Sequence, residues 1–148
     1  MSLKQRIQDD MKAALRARDS ARLSAVRLLV AAIKQREIDD RIELDDAGVM
    51  ATVEKLVKQR RDAATQYDAA NRPELAAGER FEIEVLSAYL PAQLSDDELN
   101  AEINAAIGEC GATGAADMGR VMTLLKARLA GRADMAEASR RVRTKLSS

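Results

Sequence analysis

The stretch Ala116–Leu146 reads ADMGRVMTLLKARLAGRADMAEASRRVRTKL, with the triplet ADM repeated 17 positions apart. Each copy opens a run that closes on a leucine, Leu129 and then Leu146. In the first run Met118, Val121, Met122, Leu125 and Leu129 recur at three- and four-residue steps. In the second, Met135, Ala138, Val142 and Leu146 do the same. That period belongs to an α-helix with one apolar face. Asp117 and Asp134 stand just ahead of the two faces, where a carboxylate accepts first-turn N–H groups and meets the positive end of the helix dipole. Glu137, three residues after Asp134, completes a box-like start signal. A catalytic carboxylate pair would need the two side chains to converge, and two helix starts do not impose that. Asp117 and Asp134 are therefore read as caps, with Gly131 between the runs as the stop of the first.

The same period extends upstream. Ser2 and Gln5 form a capping-box pattern ahead of Leu3, Ile7, Met11 and Leu15, and a second run over Leu23, Val26, Val30 and Ile33 follows the break at Asp19-Ser20. The acidic EIDDRIELDDAG (37–48) reads as a connector. A third helix carries Val49, Val53, Leu56, Val57, Ala64 and Tyr67, and Pro73 suits the first turn of a fourth that ends before Pro91. In LPAQLSDDE (90–98) a proline stops one helix, and Ser95 with Glu98 starts the next, whose face is Leu99, Ile103 and Ile107. No segment alternates with period two. The expected fold is all-α: an N-terminal helical domain over 1–92, then a small three-helix tail module over 93–148.

Composition agrees with a globular helical protein: 47% hydrophobic, 32% charged and only 2% aromatic, with no Trp. No apolar segment approaches the ~20 residues that cross a bilayer, so no membrane partner is expected. The lone Cys110 cannot form an internal disulfide, and the opening MSLKQRIQDDMK sets charges where a secretory signal needs an apolar run. A cytoplasmic location is expected from these two features.

Enzyme chemistry finds little to stand on. Without histidine, Ser-His-Asp triads and imidazole metal sites are excluded. Cys110 has no base to activate it and reads as a small buried hydrophobe. The clusters Glu37/Asp39/Asp40 and Glu79/Glu82/Glu84 read as solvated faces rather than Mg²⁺ sites. GATGAADMG lacks the Lys-Ser/Thr of a phosphate loop. No catalytic residue, metal or cofactor is assigned.

Charge distribution is more informative than the net charge of zero. Pro91 to Asp117 carries six acids and no base, Met118 to Ser148 eight bases and two acids, and residues 1–36 nine bases and three acids. The basic tail is the candidate polyanion surface, with Arg120, Lys126, Arg128, Arg132, Arg140 and Arg141 as its nucleic-acid-binding residues. Arg132, beside the start of the last helix, is the best placed for a phosphate, because helix N–H groups and a guanidinium both favour one. Without aromatics to stack bases, recognition would run through backbone and shape.

The order of these features resembles the YqeY-like family, whose tail is similar to that of the B subunit (GatB) of glutamine-dependent aspartyl/glutamyl-tRNA amidotransferase. The segments that carry it are KQRRDAATQYDAANRPEL (58–75), ERFEIEVLSAYLPAQLSDDEL (79–99), ADMGRVM (116–122) and GRAD (131–134). The opening SLKQRIQDDMKAALRARDSARLSAVRLL also looks like this family, so the likeness covers essentially the whole chain. Met135 departs from it, standing where the family more often has glycine. The resemblance implies an all-helical, non-catalytic tRNA-binding accessory protein. The family label of carbon–nitrogen ligase activity with glutamine as amido donor would be inherited from a larger enzyme whose catalytic parts have no counterpart here. The alternative is a protein-interaction adaptor for an amidotransferase or an aminoacyl-tRNA synthetase.

Overall fold

The computed structural model describes residues 2–147, and among them it contains seven α-helices and no strand. These are α1 (Leu3–Arg16), α2 (Ser20–Asp40), α3 (Asp46–Ala69), α4 (Pro73–Ser87), α5 (Asp96–Cys110), α6 (Met118–Leu129) and α7 (Met135–Leu146). The chain is all-α. No helix among the described residues is long and apolar enough to cross a membrane. Two compact units are present, Met1–Leu90 and Pro91–Ser148.

The N-terminal unit holds α1–α4 around one core, in which Ile7, Val26, Leu29, Val49, Val53, Val57 and Leu86 are almost completely buried. Its helix starts follow from local chemistry. The Asp19 and Asp45 carboxylates accept from Arg22 N and Gly48 N, and Pro73 opens α4. At α1, Ser2 caps through Gln5 N, while the Gln5 side chain donates to Asp9 instead of closing a box. The regular four-residue step also misplaces Leu15. Each such step drifts about 40° around a helix of 3.6 residues per turn, so after three steps Leu15 has left the core face and Ala14 has taken its place.

The acidic segment 37–48 is only partly a connector. α2 continues to Asp40 and stops at Arg41, which adopts left-handed backbone with φ 55°. Glu37 fastens the segment that follows the helix. Its carboxylate accepts from Leu44 N at 2.8 Å, folding the chain back onto the helix end, and from Lys4 Nζ at 2.8 Å. Those bonds, the lysine's first, hold the Glu37 carboxyl below the usual carboxylate range.

In the C-terminal unit α5, α6 and α7 surround a second core of Leu99, Ile103, Ala106, Val121, Leu125, Leu129, Ala138, Val142 and Leu146. Met118, Met122, Met135 and Cys110 pack at its margin. Ser95 and Glu98 form a reciprocal capping box at the start of α5, and Gly111 ends that helix at φ 62°, a conformation open to glycine without penalty. Between α5 and α6 the chain makes one 3₁₀ turn, Ala115–Asp117.

Candidate nucleic-acid interface

The two ADM triplets start their helices differently. Asp134 has extended backbone, and its carboxylate accepts from Ala136 N at 3.0 Å at the mouth of α7. Asp117 closes the 3₁₀ turn with αR backbone and makes no forward cap. From there its side chain points back, and Oδ2 accepts from Thr113 N at 2.9 Å and from Gly114 N at 3.4 Å. Its Oδ1 accepts from Arg120, so the carboxyl is held below its usual range by the Thr113 amide first and the guanidinium second. Asp117 thus fastens the loop ahead of α6 instead of capping α6 itself.

The turn between α6 and α7 is fixed by the segment that leads into α5. Gln93 Nε2 donates to Gly131 O at 2.7 Å, and Leu94 N donates to Arg132 O at 2.9 Å. Arg132 N donates in turn to Leu129 O at 2.6 Å. Gly131 has φ 72°, which a side chain would strain. Helical periodicity assigns Gln93 no role, and its place between Pro91 and Ser95 in LPAQLSDDE (90–98) was the available signal. Met135 begins α7 with its side chain against the second core.

The six basic residues fall into two groups. Arg120, Arg128, Arg140 and Arg141 are each engaged by a carboxylate of the same unit: Asp117, Glu109, Glu137, and Asp96 with Glu137, respectively. Arg141 is the most committed. Its guanidinium donates to Glu137 Oε1 at 2.9 Å, Asn100 Oδ1 at 3.2 Å, Asp96 O at 3.4 Å and Asp96 Oδ1 at 2.7 Å. Lys126 and Arg132 make no ion pair among the described residues, and neither does the neighbouring basic residue Arg143, although Arg132 lies close enough to Glu98 to help lower its pKa. Lys126, Arg132 and Arg143 are therefore cations of α6, α7 and their turn without an ion-pair partner among the described residues, whereas Lys145 donates to Asn104 Oδ1. The start of α7, offered above as a phosphate seat beside Arg132, already holds the Asp134 carboxylate, which puts negative charge where an anion would sit.

Neither acidic cluster gathers a metal set, and no group of three or more Cys, Asp and Glu converges among the described residues. Glu79 and Glu82 instead flank Arg60, whose Nε lies 3.6 Å and 2.5 Å from them.

The family model described as Yqey-like protein matches residues 4–146, nearly the whole chain and both units. The chain belongs to the YqeY-like family. Relatives include the protein "Altered inheritance of mitochondria protein 41, mitochondrial" of Eremothecium gossypii, 33% identical over 110 residues, covering 72% of this chain and 60% of that protein. Its namesake in Lachancea thermotolerans is 33% identical over 102 residues, covering 66% of this chain and 54% of that protein. This YqeY-like chain thus spans little more than half the length of the curated relatives it matches. Their names overturn the cytoplasmic location expected from sequence. A lone cysteine and a charged N-terminus are compatible with any reducing compartment and do not single out the cytosol.

Proposed function

We propose that this YqeY-like chain is a non-catalytic RNA-binding accessory protein, with tRNA as its ligand class and a relation to glutamine-dependent tRNA amidotransferases through its C-terminal unit. The observation that carries the reading is the segregation of charge in that unit. Acids dominate from Pro91 to Asp117, bases outnumber acids eight to two after it, and Lys126, Arg132 and Arg143 make no ion pair among the described residues. The hydrogen-bonded backbone of the 131–132 turn supports it too, since a cation held in place loses less freedom on meeting a phosphate.

Binding of this kind is dominated by counterion release, so affinity falls steeply with salt. The test is filter binding of bulk tRNA to the full chain across a salt series, together with identification of RNA carried through purification. Measurable low-salt binding with a negative slope is expected. No binding at low salt overturns the proposal.

A second reading, an adaptor docking on an amidotransferase or an aminoacyl-tRNA synthetase, draws on Ile38 and Ile42, which are 70% and 51% exposed near the end of α2. Recovery of such an enzyme in a nucleic-acid-free complex, lost on Ile38→Ser, would favour it.

A further inference from the structure

The basic block at the start of the chain plays no part in that proposal, yet its charges are less compensated than those of the tail. α1 and α2 run antiparallel: Lys4 near the start of α1 meets Glu37 near the end of α2, and Ala17–Asp19 joins their other ends. A small cleft of about 50 Å³ at their seam is lined by Lys4, Gln8, Val30 and Lys34 among others, which sets the register. One turn along α1 from Gln8 stands Lys12, and the residue one turn back along α2 from Val30 is Arg27. In an antiparallel pair those steps go the same way, so helix geometry puts Lys12 and Arg27 on the same rim. Lys34 lies about 10 Å from Arg27 along α2, and Arg16 continues the row one turn beyond Lys12. All four are exposed.

Carboxylates close this rim only at its ends. Glu37 and Glu43 hold Lys4 at one end, and Asp19 holds Arg22 at the other. Asp9 lies on α1 and accepts from Gln5, while Asp10 turns to the other side and accepts from Tyr89. Residues 20–36 contain no acid. Among the described residues Lys12, Arg16, Arg27 and Lys34 make no ion pair.

We propose that the Lys12–Arg16–Arg27–Lys34 rim of the α1–α2 hairpin is a second contact surface for the phosphate backbone of RNA. The inference rests on the reading that the protein binds RNA, but uses residues of the other unit. A row of unpaired cations at helical-turn intervals suits a polyanion whose charges also repeat along a line. An anionic membrane is the poorer fit. Interfacial helices bury a continuous apolar face and carry aromatic anchors, whereas Ile7, Val26, Leu29 and Ile33 of α1 and α2 are buried in the core, the exposed Leu15, Leu28 and Ile38 are single positions well apart in sequence, and neither helix contains an aromatic residue.

The experiment compares the full chain with two variants, Lys12→Gln/Arg27→Gln/Lys34→Gln and Lys126→Gln/Arg132→Gln, using bulk tRNA over a salt series. Circular dichroism checks that each is folded. Each lost phosphate contact removes about 0.7–0.9 from the slope of log affinity against log salt, so the triple variant should flatten it by roughly two to three units. An unchanged slope and affinity in the triple variant, with flattening in the double, overturns the inference and leaves the tail surface standing. The converse result overturns the tail surface alone. Loss of binding to phosphatidylserine vesicles in the triple variant, with tRNA binding intact, assigns the rim to membranes and overturns the inference.

Discussion

Arg141 of α7 grips Asp96 at the first residue of α5 twice, through the carboxylate at 2.7 Å and the backbone carbonyl at 3.4 Å. The side chain is only 21% exposed and also holds Asn100 and Glu137, so it ties two helices of the C-terminal unit together. A guanidinium used in this way has few donors left for a phosphate. Arg141→Ala should lower the thermal midpoint and raise hydrogen exchange at the start of α5 and along α7, while leaving the salt dependence of tRNA binding unchanged. Arg141→Lys should recover only part of the stability, because a lysine cannot reproduce the fork. A flattened salt slope with unchanged exchange would reassign Arg141 to the RNA surface.

The small core of the same unit gives a prediction of larger size. Leu125 is fully buried, among Ile103, Val121, Leu129 and Val142. Leu125→Ala removes its transfer energy and leaves a cavity, together about 2–5 kcal/mol. A unit this small has little stability in reserve, so α5–α7 should lose most of their exchange protection. Leu28→Ala, at an exposed position of α2, should change stability by no more than about 0.5 kcal/mol in urea denaturation.

Acid should loosen the C-terminal unit through identifiable carboxylates. Glu137 lies below its usual value because Arg140, then Arg141, bonds its charged form; Glu98 does so through the Ser95 amide. A folded value below the unfolded one means stability that is fully present above the unfolded value, 4.5 for Glu, and lost as pH falls through the folded value. The thermal midpoint should therefore be flat near neutrality and drop below about pH 4.5. Glu137→Gln should lower the midpoint at neutral pH, with the gap to the parent closing as acid protonates the Glu137 carboxyl of the folded parent. A gap that persisted undiminished in acid would show that the ion pairs are not its source.

Helix positions were readable because they depend on neighbours in sequence. Pro73 and the Ser95/Glu98 box mark their helix starts by chemistry confined to one turn. Asp117 shows the limit. Its triplet matches that of Asp134, but the 3₁₀ turn before it changes its backbone angles and reverses the direction of its hydrogen bonds. The candidate surface was legible as an excess of charge and not as a set of contacts. Whether an arginine is free depends on carboxylates such as Asp96 and Glu109, distant in sequence, and helical periodicity does not register them. The partnership of Gln93 with Gly131 escaped for the same reason, since 38 residues separate its ends.

Asp134 separates the structural and electrostatic roles of the 131–134 turn. Its carboxylate caps α7 through Ala136 N and places a negative charge at the helix start, two residues along the chain from Arg132. Asn offers the same capping oxygen without the charge, and Ala offers neither. Asp134→Ala should therefore cost about 1 kcal/mol in thermal or urea unfolding, while Asp134→Asn should stay close to the parent. If RNA phosphate approaches Arg132, removing the charge should tighten tRNA binding in both variants, by roughly two- to five-fold at low salt. Filter binding with the Asn variant is the cleaner measurement, because its fold is least disturbed. Unchanged affinity in both variants would place the RNA away from this turn and leave Lys126 and Arg143 to carry the tail surface.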